Sequence, residues 1–496
     1  MQIAIVGTGF SGLCMGIQLK KAGIESFTIY EKADRIGGTW RDNTYPGCEC
    51  DVASNLYSFS FEPNSRWPSK WSHQPVILEY LEQCVDKYGL RPHIRFGSEV
   101  AEARFDERAA AWHLSGSDGV STTADVLVCA TGQLSRPLIP EIPGLSDFPG
   151  ACFHSARWDH CCDLRGKRVA VIGNAASAVQ CIPEIAPLCE RLLVFQRSAN
   201  WCIRKRDRDY SELEKRLASR FPLLLRYHRL LTWLRGELLL YPLMTGNVKA
   251  QERAQKQTLR YLEESIDDPA LRKQLVPDYP IGAKRILFTD NYYQALNRGD
   301  VDVLSAPIER ISSEGVVTRD GTRHAVDVII LATGFRSDEF LAPLKIEGRQ
   351  GAGLDDVWRN GAEAFLGMSI SGFPNLFLMY GPNTNLGHNS IVVMSECQAR
   401  YIVSCVRQMR RHGIQTVDVK ASVEARYNEE MQRRLRQMSW NAVTESWYKR
   451  HGRITNNWPG RTTEYWRRTR RCDLADYDVD RSATAMQGLV VPEAAA

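Results

Sequence analysis

The stretch Ile3-Ala4-Ile5-Val6-Gly7-Thr8-Gly9-Phe10-Ser11-Gly12 decides the fold. A short apolar run reads as a strand, and the glycines after it allow a tight turn into a helix. Twenty-four residues beyond Gly7, Glu31 ends the strand-like Phe27-Thr28-Ile29-Tyr30. In a βαβ unit that position faces the adenosine ribose, where a carboxylate accepts from both hydroxyls. The pattern then recurs. Val169-Ala170-Val171-Ile172 runs into Gly173-Asn174-Ala175-Ala176-Ser177-Ala178, and Arg197 with Ser198 follows at the same spacing, after Leu192-Leu193-Val194-Phe195-Gln196. A guanidinium there suits a ribose 2′-phosphate. The chain therefore reads as α/β, with two Rossmann-like dinucleotide-binding domains, one for FAD and one for NADPH.

A second duplication supports the first. Asp118-Gly119 is a hairpin signal seven residues before Asp125, where Asp125-Val126-Leu127-Val128-Cys129 runs into Ala130-Thr131-Gly132. Asp320-Gly321 stands at the same distance before Asp327-Val328-Ile329-Ile330-Leu331 and Ala332-Thr333-Gly334. Near-continuous apolar strands of this kind belong in the buried centre of a parallel sheet. Residues 206–280 are rich in Leu, Arg, Glu and Gln and read as a helical insertion. The expected layout is 1–140 with 338–496 for FAD, 141–205 with 281–337 for NADP, and 206–280 as the insertion. The tail from Ala483 to Ala496 reads as disordered.

Composition bounds the function. An apolar fraction of 44% with 24% charged residues is that of a globular protein, and a net charge of +5 points to no polyanion. No basic block with interleaved aromatics marks nucleic-acid binding. The fourteen cysteines show no zinc spacing and read as reduced thiols of a cytoplasmic protein; no metal is expected. Residues 1–19 carry no charge, but their glycines fit a strand and turn better than a signal peptide. Pro222 to Met244 is Leu-rich yet holds Arg226, Arg229, Arg235 and Glu237. It reads as an amphipathic helix with a buried apolar face, not a membrane span, with contact to a membrane surface as the lesser alternative.

Gly37-Gly38-Thr39-Trp40 follows Glu31 closely and offers flexible backbone beside an isoalloxazine. No Cys-x4-Cys pair occurs up to Asp51, which disfavours flavin disulfide chemistry. Between the two nucleotide motifs, Phe148-Pro149-Gly150-Ala151-Cys152-Phe153-His154-Ser155-Ala156-Arg157-Trp158-Asp159 matches the fingerprint F-x-G-x-x-x-H-x-x-x-W-[P/D]. In this the chain resembles the type I Baeyer–Villiger monooxygenases. The resemblance extends over both glycine motifs, Tyr45-Pro46-Gly47, both Ala-Thr-Gly motifs, Pro280 to Arg285 and Trp458-Pro459-Gly460, and Ala175 is its main departure.

The resemblance implies an NADPH- and O2-dependent flavoprotein that converts a ketone, apolar by the composition of the chain, to an ester or lactone through a C4a-peroxyflavin. It implies Arg285 as the active-site arginine beside flavin and nicotinamide, with Asp51 as its carboxylate partner. Lys284 and Arg197 become the 2′-phosphate contacts, His154 a linker residue of conformational role, and Trp447 a mobile-loop residue folding over NADP. The physical logic of Arg285 is independent of the family: a fixed cation stabilises a peroxide anion, or the oxyanion of its carbonyl adduct, without reorganisation. The alternatives are oxygenation of amines or sulfides on the same fold, a disulfide reductase, and a flavin-fold binding protein without turnover.

Overall fold

The computed structural model describes residues 1–116, 119, 121–443, 449–450 and 452–481. Asp118, Trp447 and the tail 483–496 therefore lie outside the described residues.

Two five-stranded parallel sheets carry the molecule, and they are laid out alike. The first runs Leu376–Leu378, Val126–Cys129, Ile3–Val6, Phe27–Tyr30, Ile94–Arg95. The second runs Ala151–His154, Val328–Leu331, Arg168–Ile172, Arg191–Phe195, Val301–Leu304. In each, the strand before the glycine turn lies between the strand before Ala-Thr-Gly and the strand before the ribose position. The match extends to single bonds. Gly7 N–H donates to Tyr30 at 2.8 Å, and Gly173 N–H to Phe195 at 2.9 Å. Asp125 and Asp327 each accept, through Oδ2, the N–H that opens the neighbouring glycine strand, from Gln2 and Arg168.

Each unit also carries a small antiparallel meander before its Ala-Thr-Gly strand: Val100–Asp106, Ala111–Gly116 and Ser121–Ala124 in the first, Ile308–Ser312, Gly315–Thr318 and Arg323–Ala325 in the second. Gly119 and Gly321 sit in their hairpins at φ +85° and +83°. The fingerprint segment forms the outer strand of the second sheet. Gly150 is there for steric reasons: a Cβ would come within 2.4 Å of the Asp327 carbonyl oxygen. Phe148 is buried beside it, and Trp158 packs edge-on against Phe153 at 5.2 Å.

The insertion is helical: Glu212–Arg220, Pro222–Arg235, a π turn over Gly236–Leu240, Tyr241–Met244, Val248–Ser265 and Pro269–Gln274. Cys202–Arg204 and Leu287–Thr289 pair at its neck. One expectation fails. The helix Pro222–Arg235 buries only Leu225, and its apolar stripe faces outward. Its packing against the body runs instead through polar groups: Arg229 donates to the carbonyls of Asn55, Leu56 and Ser58, and Trp233 Nε1 to Thr462 Oγ1. Among the described residues, no helix is long and apolar enough to cross a membrane.

Candidate active site

The strand ends and glycine turns of both sheets open into one cavity of about 1630 Å³, larger than a single small-ligand pocket. At the first turn, Gly7 has φ +103°, and a Cβ would lie 2.7 Å from the Ala130 carbonyl oxygen. A Cβ on Gly12 would reach 1.9 Å from Gly7 O. These two glycines are thus fixed by strand–helix packing. Gly9 is not: its Cβ would meet nothing of the protein nearer than 3.9 Å. The helices Phe10–Lys21 and Ala176–Ile185 both begin without a side-chain cap and without an acidic residue in the first turn. Their N-terminal amides and dipoles are available to a pyrophosphate.

Glu31 is buried, and its carboxylate accepts from Thr8 and Ala33 and pairs with Arg41 at 2.9 Å. It lines the cavity together with Gly38, Thr39 and Trp40. Gly38 lies against Gly9, a Cβ there meeting Gly9 Cα at 3.1 Å. Gly132 and Gly334 end the two Ala-Thr-Gly motifs at φ +73° and +85°, with no protein atom near a Cβ. Backbone stays open there on both sides of the cavity. Gly173, Ser177, Arg197, Ser198 and Lys284 line the opposite wall. Lys284 Nζ donates to Ser198 Oγ at 3.0 Å and lies over the Tyr279 ring. Burial lowers the Lys284 pKa; Asp278 counters this, and the Arg197 charge adds to the lowering. Two cations held this close favour an incoming dianion.

Between these walls, Arg285 Nε and Nη2 both donate to Asp51 Oδ2, at 2.8 and 2.5 Å. The pair spans the two units. The segment that carries Asp51 is seated on the second unit: Tyr45 OH donates to Gln180, a Cβ on Gly47 would lie 2.4 Å from the Gln180 carbonyl oxygen, and Glu49 pairs with buried Lys205. The thiols of Cys48 and Cys50 also line the cavity, but burial pushes both up, Cys48 to about 12. Both thiols are thereby held in the protonated form, which disfavours disulfide exchange at this wall.

Sequence reasoning missed Tyr57 and Tyr380. Tyr57 OH accepts from Trp40 Nε1 at 3.0 Å, and Tyr380 OH donates to Asn385 Oδ1 at 2.7 Å. Burial raises the pKa of both, Tyr380 to about 12, so both stay protonated. Tyr380 has φ +61°. Gln398 and Gln133 hold that conformation, bonding its N–H and its carbonyl. The signal for it was Tyr380-Gly381-Pro382-Asn383 after an apolar strand.

His154 lies outside the cavity wall, buried at the end of its strand. Its Nδ1 accepts from Ala156 N–H, and its ring packs edge-on against Phe335, next to Gly334. Burial lowers its pKa to about 4, the Arg157 charge acting in the same sense, while the Gly334 backbone opposes both. The buried, neutral ring packs the end of its strand against the segment that follows Gly334.

Residues 1–345 match the family model described as flavin-binding monooxygenase-like. A Baeyer–Villiger monooxygenase of Streptomyces coelicolor is 42% identical over 100% of this chain and 95% of its own length. One of Pseudomonas aeruginosa is 42% identical over 98% and 92%. Among solved structures, OTEMO in complex with FAD and NADP superposes with a TM-score of 0.88 at 27% identity, covering 97% of this chain and 99% of that one. Steroid monooxygenase bound to NADP gives 0.85 at 31% identity, covering 94% and 96%. With its paired nucleotide units and the arginine–carboxylate pair between them, the chain belongs to the flavin-binding monooxygenase-like family and, within it, to the Baeyer–Villiger monooxygenases.

Proposed function

We propose that the protein is an FAD- and NADPH-dependent monooxygenase that inserts one oxygen atom of O2 beside the carbonyl of an apolar ketone, giving an ester or lactone. The observation that carries this is the Arg285–Asp51 pair, set between two glycine turns that open into one cavity. Residues 1–140 with 338–496 would hold FAD, through Gly7, Gly9, Gly12, Glu31, Gly38, Thr39, Trp40 and Gly132. Residues 141–205 with 281–337 would hold NADPH, through Gly173, Ser177, Arg197, Ser198, Lys284 and Gly334. The cofactors supply hydride transfer and oxygen activation when bound.

The chain's own residues do the rest. Arg285 presents a fixed cation where negative charge gathers on oxygen, and Asp51 keeps it from swinging away. Two bonds to a single carboxylate oxygen restrict the guanidinium plane. Tyr57 and Tyr380 remain neutral at their positions, and Asp51 is the carboxylate bonded to Arg285. Leu386 and Ile391 line the same cavity and suit an apolar substrate.

The test is anaerobic mixing with NADPH, then air and a ketone, with product identified by mass spectrometry. The parent should bleach the flavin and yield ester. Arg285→Ala should retain flavin and yield no ester. Ester formation by that variant at the parent rate would overturn the assignment.

A further inference from the structure

The insertion carries a surface that the oxygenation chemistry does not use. Along Pro222–Arg235 and into the π turn, Leu223, Tyr227, Leu230, Leu234 and Leu238 recur at helical spacing on one face. Leu223 is 74% exposed and Leu238 56%; Tyr227 and, at the corner, Phe221 are exposed as well. This is not a frayed element. Its other side is docked by Arg229, by Trp233 and by Gly236, where a Cβ would come within 2.5 Å of the His388 carbonyl oxygen.

Along the helix Pro222–Arg235 the charge beside the stripe has one sign, whereas Glu212 and Glu214 flank Leu213 on the preceding helix. From Lys215 to Gly236 the chain has six cations, Lys215, Arg216, Arg220, Arg226, Arg229 and Arg235, and no carboxylate. Arg229 is turned into the body, and Lys215 pairs with Glu212. Arg216, Arg220, Arg226 and Arg235 remain exposed beside the leucines. A second copy of this face would set these cations against their like, which opposes self-association. An apolar stripe flanked by arginine matches the chemistry of an acidic bilayer surface: acyl chains for the leucines, phosphates for the guanidinium groups.

We propose that the face formed by Phe221, Leu223, Tyr227, Leu230 and Leu238 docks reversibly, without spanning, on an anionic lipid bilayer. This does not depend on the ketone assignment, because vesicle binding and turnover in buffer are read separately.

The experiment is flotation of the flavin-loaded full chain with two kinds of vesicle. One is phosphatidylcholine alone, and the other contains roughly 30 mol% phosphatidylglycerol. The parent should float with the anionic vesicles, and rising salt should release it. Leu223→Glu with Leu238→Glu should cut the floated fraction about tenfold or more, with flavin content and turnover of a water-soluble ketone unchanged. Arg220→Gln with Arg226→Gln, which leaves the apolar stripe intact, should flatten the salt dependence; it serves as the second reading if the glutamate variant folds poorly. Failure of the parent to float with anionic vesicles overturns the proposal. So does equal flotation of parent and both variants. A parent that ignores vesicles but forms a dimer by light scattering, lost in the glutamate variant, assigns the face to a second copy instead.

Discussion

Removing Lys284 and Arg197 one at a time separates recognition of the 2′-phosphate from recognition of the rest of the nucleotide. Lys284 is half-buried, tied to Ser198 Oγ at 3.0 Å, and its charge is already disfavoured by burial, with Arg197 adding repulsion. A dianion between them relieves that repulsion, so each contact is a hydrogen bond between charges, worth about 1.5–3 kcal/mol. The half-buried lysine belongs at the upper end. Lys284→Met should lower kcat/KM for NADPH about 100-fold. The exposed arginine is screened by solvent, and Arg197→Ala should cost about tenfold, a loss that shrinks as ionic strength rises. NADH has no phosphate at that position, so its kcat/KM should change by no more than about twofold. The double variant should lose less than the sum of the two, because both cations hold one group. The assay is the rate of flavin bleaching by each nucleotide under anaerobic conditions. Equal losses with NADPH and NADH would refute the reasoning, as would strict additivity at every salt concentration.

Three further outcomes are expected. Asp51→Asn keeps the shape of the Arg285 partner but removes its charge; ester formation should fall about tenfold or more while flavin stays bound, and stopped-flow reduction with product yield checks this. His154 holds a pKa near 4, below its ordinary value, so the unfolded chain binds the extra proton between pH 6.5 and 4. Its contribution is complete above about pH 6.5 and declines as pH falls, by up to about 3 kcal/mol; His154→Phe should flatten the acid limb of thermal stability, and parallel limbs would argue against the assignment. Gly12→Ala, whose Cβ would sit on Gly7 O, should destabilise by about 3 kcal/mol and lose flavin, whereas Ala178→Gly should cost about 1 kcal/mol, both read by melting temperature and flavin content.

Both sheets were legible because the chain states its plan twice. A strand, a glycine turn and a polar residue at a fixed distance carry register as well as fold, and Asp125 and Asp327 mark equivalent strand starts. Glu31 and Arg197 stand out by their spacing from a glycine turn, whereas Lys284, Arg285 and Asp51 stand out only through the family resemblance. Tyr380 is marked only by the turn signal Tyr380-Gly381-Pro382-Asn383; its left-handed backbone, held by Gln133 and Gln398, is not legible in it. The outward face of Pro222–Arg235 was misread for a different reason. Periodicity reports that a helix has an apolar side, but not whether protein covers it. Here the polar side makes the tertiary contacts, through Arg229 and Trp233, and no pattern of leucines announces that.

The two glycine turns also differ in a way that bears on how each cofactor is used. Gly9 and Ala175 hold the same place at their helix N-termini with nearly the same backbone, φ −73° and ψ −175° against φ −83° and ψ −163°. Any residue adopts that conformation, so glycine at position 9 is not demanded by the turn. Nor is it demanded by neighbours, since a Cβ would stand 3.9 Å from Gly38. What the missing side chain leaves is room for a ligand to lie directly on the helix amides. The methyl of Ala175 narrows that room on the other wall, where Lys284 and Arg197 supply attraction of longer range. Close contact along the backbone suits a group that stays through many turnovers. Charge at the rim with a slightly raised floor suits one that must arrive, give up a hydride and leave. On the proposed assignment of FAD to the first wall and NADPH to the second, one methyl group and two cations would set a closely held cofactor against one that exchanges.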